Sequence, residues 1–125
     1  MSNQKVIVNL SARFLKDLRR LEKKYRRVRQ DVKPLIAELE SGNTPGDQLQ
    51  RVGKTVYKVR IANSDAQRGK SGGYRVLYYL RTTTSVYLIA IYSKTEFEDI
   101  SDDSIAIAIE DLLSKLEADS SESDE

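Results

Sequence analysis

The chain has 125 residues, room for a single domain, and 32% of them are charged, so its surface is heavily solvated. It contains no cysteine and no histidine, which excludes disulfide bonds, thiolate zinc sites, cysteine nucleophiles and histidine acid–base chemistry. The net charge of +2 conceals a strong asymmetry, because residues 1–95 carry 20 basic and 7 acidic residues while residues 96–125 carry one basic and 12 acidic residues.

The N-terminal half predicts one strand followed by two helices. Residues 5–10 (KVIVNL) have the length and apolar content of a short strand, and Ser11 suits a helix N-cap. A first amphipathic helix follows, with a basic outer face and an apolar stripe at helical spacing formed by Phe14, Leu18, Leu21 and Tyr25. We expect it to pair with a second helix as an antiparallel hairpin, since the connection is short.

The second helix has its own start and stop signals. Its apolar positions are Val28, Val32, Leu35, Ile36 and Leu39. Pro34 is expected either to kink this helix or to lie near its start, because proline has no backbone N–H to donate. Gly42 is a suitable residue just after the helix end, and residues 44–47 (TPGD) then predict a turn.

Three strands are predicted in the middle of the chain. Residues 55–61 alternate: Tyr57, Val59 and Ile61 share one face, and Val56, Lys58 and Arg60 share the other. Residues 74–80 and 86–92 are apolar on both faces, which is typical of central strands. A polar loop over residues 63–72 and a hairpin loop over residues 81–85 separate the three strands.

The acidic C-terminal segment predicts one more helix and a tail. Asp102 and Asp103 suit the first turn of a helix, whose N-terminal dipole favours acids. The apolar stripe of this helix ends at Leu116, and residues 119–125 contain only Ser, Asp and Glu and are expected to be disordered. The predicted division is a domain over residues 1–116 and an acidic disordered tail over residues 117–125.

These elements predict an α+β fold of order β-α-α-β-β-β-α. It has a small, mixed but largely antiparallel sheet of about four strands, an N-terminal helical hairpin and a C-terminal helix. No stretch has the length of a signal peptide or a membrane span, so we expect a cytoplasmic protein with no membrane partner.

Basic residues on the late strands are the candidate functional residues. Lys58 and Arg60 share a strand face, Arg75 opens the next strand, Lys70 lies on the glycine-rich loop, and Lys94 follows the last strand. Antiparallel pairing of these strands can gather the cations on one concave patch. Arginine forks, lysine point charges and nearby tyrosines suit phosphate and stacked bases, so the patch predicts a nucleic-acid site.

Two other interpretations of these charged residues are possible. Basic residues on the strands of a highly charged protein are often only solvated. The acids at residues 96–99 and 102–103 could bind a divalent ion, but helix-start electrostatics explains Asp102 and Asp103 more simply. We therefore predict no metal and no cofactor.

Three short motifs carry a resemblance to a known family. Residues 57–60 (YKVR), 72–79 (GGYRVLYY) and 91–96 (IYSKTE), together with the element order, resemble the RelE/ParE superfamily of toxins from type II toxin–antitoxin systems. The glycine-rich residues 68–75 and the Tyr-Ser-Lys of residues 92–94 are most similar to the RelE/HigB branch. The resemblance extends over about residues 5–116.

The resemblance implies a function and a set of site residues. Members of the RelE/HigB branch are ribosome-dependent endoribonucleases that cut messenger RNA in the A site, through attack of a 2′-hydroxyl on the adjacent phosphate, without a metal. A cognate antitoxin neutralises them, the toxin–antitoxin complex is expected to bind operator DNA, and the ribosomal partner is the 70S particle with its 16S rRNA. The implied catalytic residues are Lys58, Arg60, Arg75, Lys94 and Tyr92. The implied RNA contacts are Lys70, Arg68, Arg81 and Lys54.

One position departs from the family pattern. RelE carries a tyrosine just before its last helix, where this chain has Ile100, so Tyr92 is the nearest candidate replacement. Lys94 also stands where RelE has an arginine, which removes a bidentate fork. Two alternatives therefore remain open: a ParE-like inhibitor of gyrase, and a degenerate toxin that only binds an antitoxin or nucleic acid.

Overall fold

The computed structural model describes residues 5–65 and 73–123, with side chains up to residue 117. Its elements are β1 (Ile7–Leu10), α1 (Ala12–Glu22), α2 (Val28–Glu40), β2 (Asp47–Arg51), β3 (Lys54–Ile61), β4 (Tyr74–Thr82), β5 (Ser85–Ser93) and α3 (Asp102–Ser123). The predicted α+β class and the positions of all three helices are confirmed.

All strands form one mixed sheet of order β1-β5-β4-β3-β2. The first strand runs parallel to β5, and the other neighbours are antiparallel. The central place of β4 agrees with the apolar character of both its faces, since a strand covered on two sides reads as a continuous apolar run. The register between β4 and β5 shifts between Leu77 and Tyr78, where β5 has one extra residue. Such a bulge increases the local twist of the sheet.

The sheet has five strands where about four were predicted, and the additional strand is β2. Its sequence, DQLQR, has a single apolar residue and lies at a sheet edge, where little burial is needed to hold a strand. A tight turn joins it to β3, with positive φ at Val52 (48°) and Gly53 (72°). The pairing with β3, and not an apolar pattern of its own, makes this segment a strand.

Helices α1 and α2 cover one face of the sheet. The Ser11 hydroxyl caps α1 as predicted, accepting a hydrogen bond from Phe14 N at 3.0 Å. Pro34 is the seventh residue of α2 and is exposed, so it does not lie at the helix start. The predicted stop at Gly42 is confirmed by its φ of +99° directly after the helix end.

Helix α3 covers part of the opposite face. Ile105, Ile109 and Leu112 are buried against residues of β4 and β5, as the apolar stripe predicts. The helix continues to Ser123, whereas disorder was predicted from residue 117 onward. Helical hydrogen bonds join backbone groups and need no apolar side chains, so the ladder can extend beyond the stripe. The division of the chain at residue 116 remains a prediction.

Alternation along the strands distributes side chains between the two layers. On β4, Tyr74, Val76 and Tyr78 point to the α1–α2 layer, and Leu77 and Tyr79 point to the α3 layer. The α3-facing side of the sheet also carries the cations of β3 and β4, beyond the part that the helix covers. In the described part of the chain, none of the helices has the length and apolarity that a membrane crossing requires.

Candidate nucleic-acid interface

A row of polar side chains crosses three strands on the α3-facing side of the sheet. Arg60 on β3 lies directly opposite Arg75 on β4, and Arg75 lies directly opposite Tyr92 on β5. Lys58 shares this face, two residues along β3, as the predicted alternation requires. The structure therefore brings together Lys58, Arg60 and Arg75, which we call the cation cluster.

The cluster is electrostatically unfavourable in the isolated protein. Like charges directly opposite each other on neighbouring strands destabilise a sheet. Arg75 is only 6% exposed, and its guanidinium donates to the carbonyl oxygen of Gly73 at 3.4 Å. Among the described residues, no carboxylate lies within ion-pair distance of Arg60 or Arg75. A buried cation without a counter-ion is costly, so an external anion would stabilise this arrangement.

An open concavity borders the cluster. Its volume is about 420 Å³, and Gly46, Asp47, Lys58 and Arg60 line it. Gly46 has φ of +99°, and a Cβ atom there would meet the backbone of Lys58. A glycine is therefore required where the chain enters β2, and the resulting hollow is large enough for a phosphate group.

Gly73 has a steric role next to the cluster. A Cβ atom at this position would collide with the carbonyl oxygen of Ile61, the residue that ends β3. Glycine thus allows β3 and β4 to approach where the Arg60–Arg75 pair forms. The Gly-Tyr-Arg motif at the start of β4 is explained by close packing and not by loop flexibility.

Asp99 connects the acidic C-terminal segment to the cluster. Its carboxylate lies 3.6 Å from Lys58 Nζ and 3.2 Å from a guanidinium nitrogen of Arg51, and it accepts from Ile100 N at 2.8 Å. Burial opposes ionisation of Asp99, but the Ile100 hydrogen bond and the two cations outweigh it and hold its pKa below the ordinary value. Asp99 therefore neutralises Lys58 and leaves Arg60 and Arg75 unpaired.

Tyr92 lies in the core of the sheet next to the cation cluster. It has no exposed surface, and its hydroxyl contacts Asp99 Oδ1 at 3.4 Å. Burial and the Asp99 charge raise the pKa of Tyr92 to about 12, so its hydroxyl stays protonated at neutral pH. In this conformation the ring cannot touch a substrate, which places Tyr92 behind Asp99 as a support and not among the contacting residues.

The turn that carries Lys94 is held by a network of ion pairs. Arg20 of α1 donates to both carboxylate oxygens of Glu96, at 2.8 and 3.0 Å, and Glu96 accepts from Ser93 N at 3.0 Å. The other end of Arg20 contacts buried Asp17 at 2.6 Å. The described residues offer no ion-pair partner to Lys94 itself, whose exposed side chain is free to reach a ligand.

The remaining predicted RNA contacts do not join the cluster. Arg81 lies six residues beyond Arg75 along β4, roughly 20 Å away at strand spacing, where the register with β5 shifts between Leu80 and Thr82. Lys54 lies four residues from Lys58 along β3, and its ammonium sits 6.0 Å from the Tyr79 ring centroid. Arg68 and Lys70 lie outside the described residues.

Sequence reasoning missed two residues of this site. Arg51, on the unpredicted strand β2, donates to Asp102 at 2.8 Å and to the carbonyl oxygen of Ile100 at 2.8 Å. It therefore fastens the segment before α3 to the sheet. Asp99 was grouped with possible metal ligands. The charge asymmetry of the sequence could have predicted both residues, since a basic body and an acidic C-terminal segment are expected to form ion pairs with each other.

The structure gives Ile100 a packing role. Its side chain is buried with the α3-facing core and is not directed to the cation cluster. No hydroxyl is present at this position, in agreement with the departure from the family pattern seen in the sequence. Within residues 5–65 and 73–123, no three His, Cys, Asp or Glu side chains are grouped as a metal site requires.

Comparisons with known proteins concern the family and the fold. The sequence matches the family model of the RelE toxin of RelE/RelB toxin–antitoxin systems over residues 13–122. A solved structure of the E. coli toxin RelE, a double arginine-to-alanine mutant in the free state, superposes with a TM-score of 0.52 at 22% identity. The alignment covers 85% of this chain and 96% of that chain, and at this identity it shows a shared fold. No curated protein matches the chain.

Proposed function

Because the chain belongs to the RelE toxin family, we propose that it is a type II toxin that inhibits translation by cutting messenger RNA in the ribosomal A site. The proposed reaction is attack of a ribose 2′-hydroxyl on the adjacent phosphate, with release of the 5′-oxygen of the next nucleotide. It needs no metal or cofactor in this proposal. The ribosomal partner is the 70S particle, where the toxin contacts messenger RNA and 16S rRNA.

The unneutralised Arg60–Arg75 pair is the observation that carries the proposal. Two arginines lie directly opposite each other on neighbouring strands, Arg75 is buried, and no carboxylate of the described residues is within ion-pair distance of either. A fold gains nothing from such a pair in isolation. A scissile phosphate, whose negative charge increases in the transition state, would compensate both groups.

The other cations support the same chemistry. Lys58 lines the concavity beside Arg60 and is held by Asp99, which orients its ammonium. We propose that Lys94, exposed on its anchored turn, approaches the same phosphate and stabilises charge on the leaving oxygen. Outside the cluster, Arg68, Lys70, Arg81 and Lys54 are proposed to contact flanking RNA phosphates.

The antitoxin and the compartment are part of the proposal. A RelE toxin family member is expected to have a RelB-like antitoxin that neutralises it, and the complex is proposed to bind operator DNA. A ribosome-directed toxin acts in the cytoplasm. Co-expression with the product of a neighbouring small open reading frame should restore growth if that product is the antitoxin.

The test is expression of the chain in bacteria with and without Arg75→Ala and Lys94→Ala. The expected result is growth arrest with messenger RNA cuts that need translating ribosomes, mapped by primer extension, and strong loss of these cuts in both variants. The matched control is Arg19→Ala, which removes an exposed arginine of α1 far from the cluster in sequence and should change nothing.

Two outcomes would count against the nuclease, and a third would count against its proposed site. Growth arrest with intact messenger RNA and altered DNA supercoiling would indicate a ParE-like action on gyrase. Harmless expression of soluble wild-type protein would indicate a toxin that only binds its partners. Cuts that persist in Arg75→Ala would remove the cation cluster from the mechanism.

A further inference from the structure

Phe97 is the aromatic side chain that the fold leaves uncovered. The chain has seven tyrosines and two phenylalanines, all within the described residues, and Phe97 alone is exposed, at 41% of its surface. Exposing an aromatic ring forgoes a large share of the free energy that burial would provide. A scattered exposed apolar residue is common, so its surroundings decide whether it has a role.

The surroundings of Phe97 hold the ring in place. Its centroid lies 5.6 Å from that of Tyr92, with the ring planes tilted by 50°. Arg20 contributes a guanidinium carbon 6.0 Å from the Phe97 centroid, and Arg20 is itself fixed by Glu96 and Asp17. An aromatic ring that already packs against two neighbouring side chains loses less conformational entropy when a ligand covers its exposed part.

Phe97 also lies beside phosphate-binding groups. It is three residues after Lys94 and two before Asp99. The contacts run without a break from the Phe97 ring to Tyr92, from Tyr92 to Asp99, and from Asp99 to Lys58 of the cation cluster. An exposed ring next to a group of cations is the arrangement by which proteins hold single-stranded nucleic acid, because bases stack on the ring while phosphates meet the cations.

We propose that Phe97 is a stacking platform for one base of the bound RNA. The inference rests on the proposed function, and it deepens that function by naming the group that recognises a base next to the phosphate site. The ring has no hydrogen-bonding atom, so the platform accepts any base and favours those that stack more strongly, purines over pyrimidines.

The absence of tryptophan from the chain permits a direct test. Phe97→Trp introduces a single indole at the platform, and oligoadenylate of six nucleotides should quench and shift its emission. A six-unit abasic ribose-phosphate of the same charge should leave the emission unchanged. Titrations at low salt then give the affinity of each variant by anisotropy of a labelled oligoadenylate.

Phe97→Leu keeps an apolar side chain and removes the aromatic face. We expect affinity for oligoadenylate to fall about tenfold, within the range measured for loss of one base–aromatic stack. Affinity for the abasic oligomer, and the slope of log affinity against log salt, should stay unchanged because no phosphate contact is lost. Ile107→Ala, at the other strongly exposed apolar residue near the C-terminal helix start, is the matched control and should bind as wild type does.

The outcomes separate this inference from the proposed function. Equal oligoadenylate affinity in wild type and Phe97→Leu would overturn the platform while leaving the nuclease intact. An equal loss for the abasic oligomer would show that Phe97 only supports the fold of the site. Loss of antitoxin affinity with unchanged RNA affinity would assign the ring to a protein interface. Failure of wild type to bind either oligomer would overturn the platform, whereas the nuclease is overturned only by the absence of ribosome-dependent cuts.

Discussion

Replacing Arg75 with methionine should stabilise the fold and disable the site. Methionine has a similar length and no charge, so the substitution removes the buried cation and the like charge opposite Arg60. Opposed like charges on paired strands cost up to about 1 kcal/mol. Exchange of a buried charged group for an apolar one of similar volume stabilises by roughly 1–4 kcal/mol.

These terms give an expected gain of about 1–2 kcal/mol in the free energy of unfolding. For a domain of this size the gain corresponds to an increase in Tm of roughly 4–8 °C. If Arg75 contacts the scissile phosphate as proposed, the same substitution removes that donor, and the rate of ribosome-dependent cleavage should fall by about 100-fold or more. Opposite changes in stability and activity are typical of a residue kept for function.

Thermal unfolding and urea titration measure the first quantity, and single-turnover cleavage on programmed ribosomes measures the second. Arg60→Met should show a smaller gain in stability, since Arg60 is exposed, with a similar loss of cleavage. Arg19→Met should leave both quantities unchanged. A decrease in Tm for Arg75→Met would refute the reasoning, because it would show that Arg75 has a stabilising partner in the folded state.

Three further predictions concern the framework of the site. Asp17 is 1% exposed and accepts hydrogen bonds from Ile91 N at 3.1 Å and from two arginines, so Asp17→Ala should lower the free energy of unfolding by about 3–5 kcal/mol in urea titrations. Gly73→Ala should destabilise by about 1–3 kcal/mol, since its methyl group would displace the Ile61 carbonyl, and cleavage should fall with it; wild-type stability would contradict the close packing. The depressed pKa of Asp99 means that its stabilisation is complete above the ordinary value of 3.8 and is lost as the pH falls through the lower folded value. The stability difference between wild type and Asp99→Asn should therefore be constant near neutral pH and shrink below pH 3.8 in acid titrations monitored by circular dichroism.

Local sequence patterns were sufficient to predict most elements of the fold. Helical spacing identified the apolar stripes of all three helices, and the hydroxyl of Ser11 and the glycine at residue 42 marked where helices begin and end. Alternation placed Lys58 and Arg60 on one face of a strand. These features depend on periodicity and on the conformational preferences of single residues, both of which are properties of short segments.

Elements that have no apolar pattern in their own sequence were not predicted. Strand β2 is polar, and it exists because β3 offers an unpaired edge and because Val52 and Gly53 form a tight turn between them. Apart from Ala118, residues 117–123 are all Ser, Asp or Glu, so composition alone indicated disorder.

The sequence by itself determined that cations and an acidic segment are present and which strand faces carry them. Only the tertiary structure decided that Arg60 meets Arg75, because that pairing depends on the register between two strands set by long-range packing. The same holds for Asp99, which reaches Lys58 and Arg51 across more than 40 residues of chain. The sequence therefore predicted which charged residues are present. The folded structure was needed to show that Lys58 is neutralised and that Arg60 and Arg75 are not.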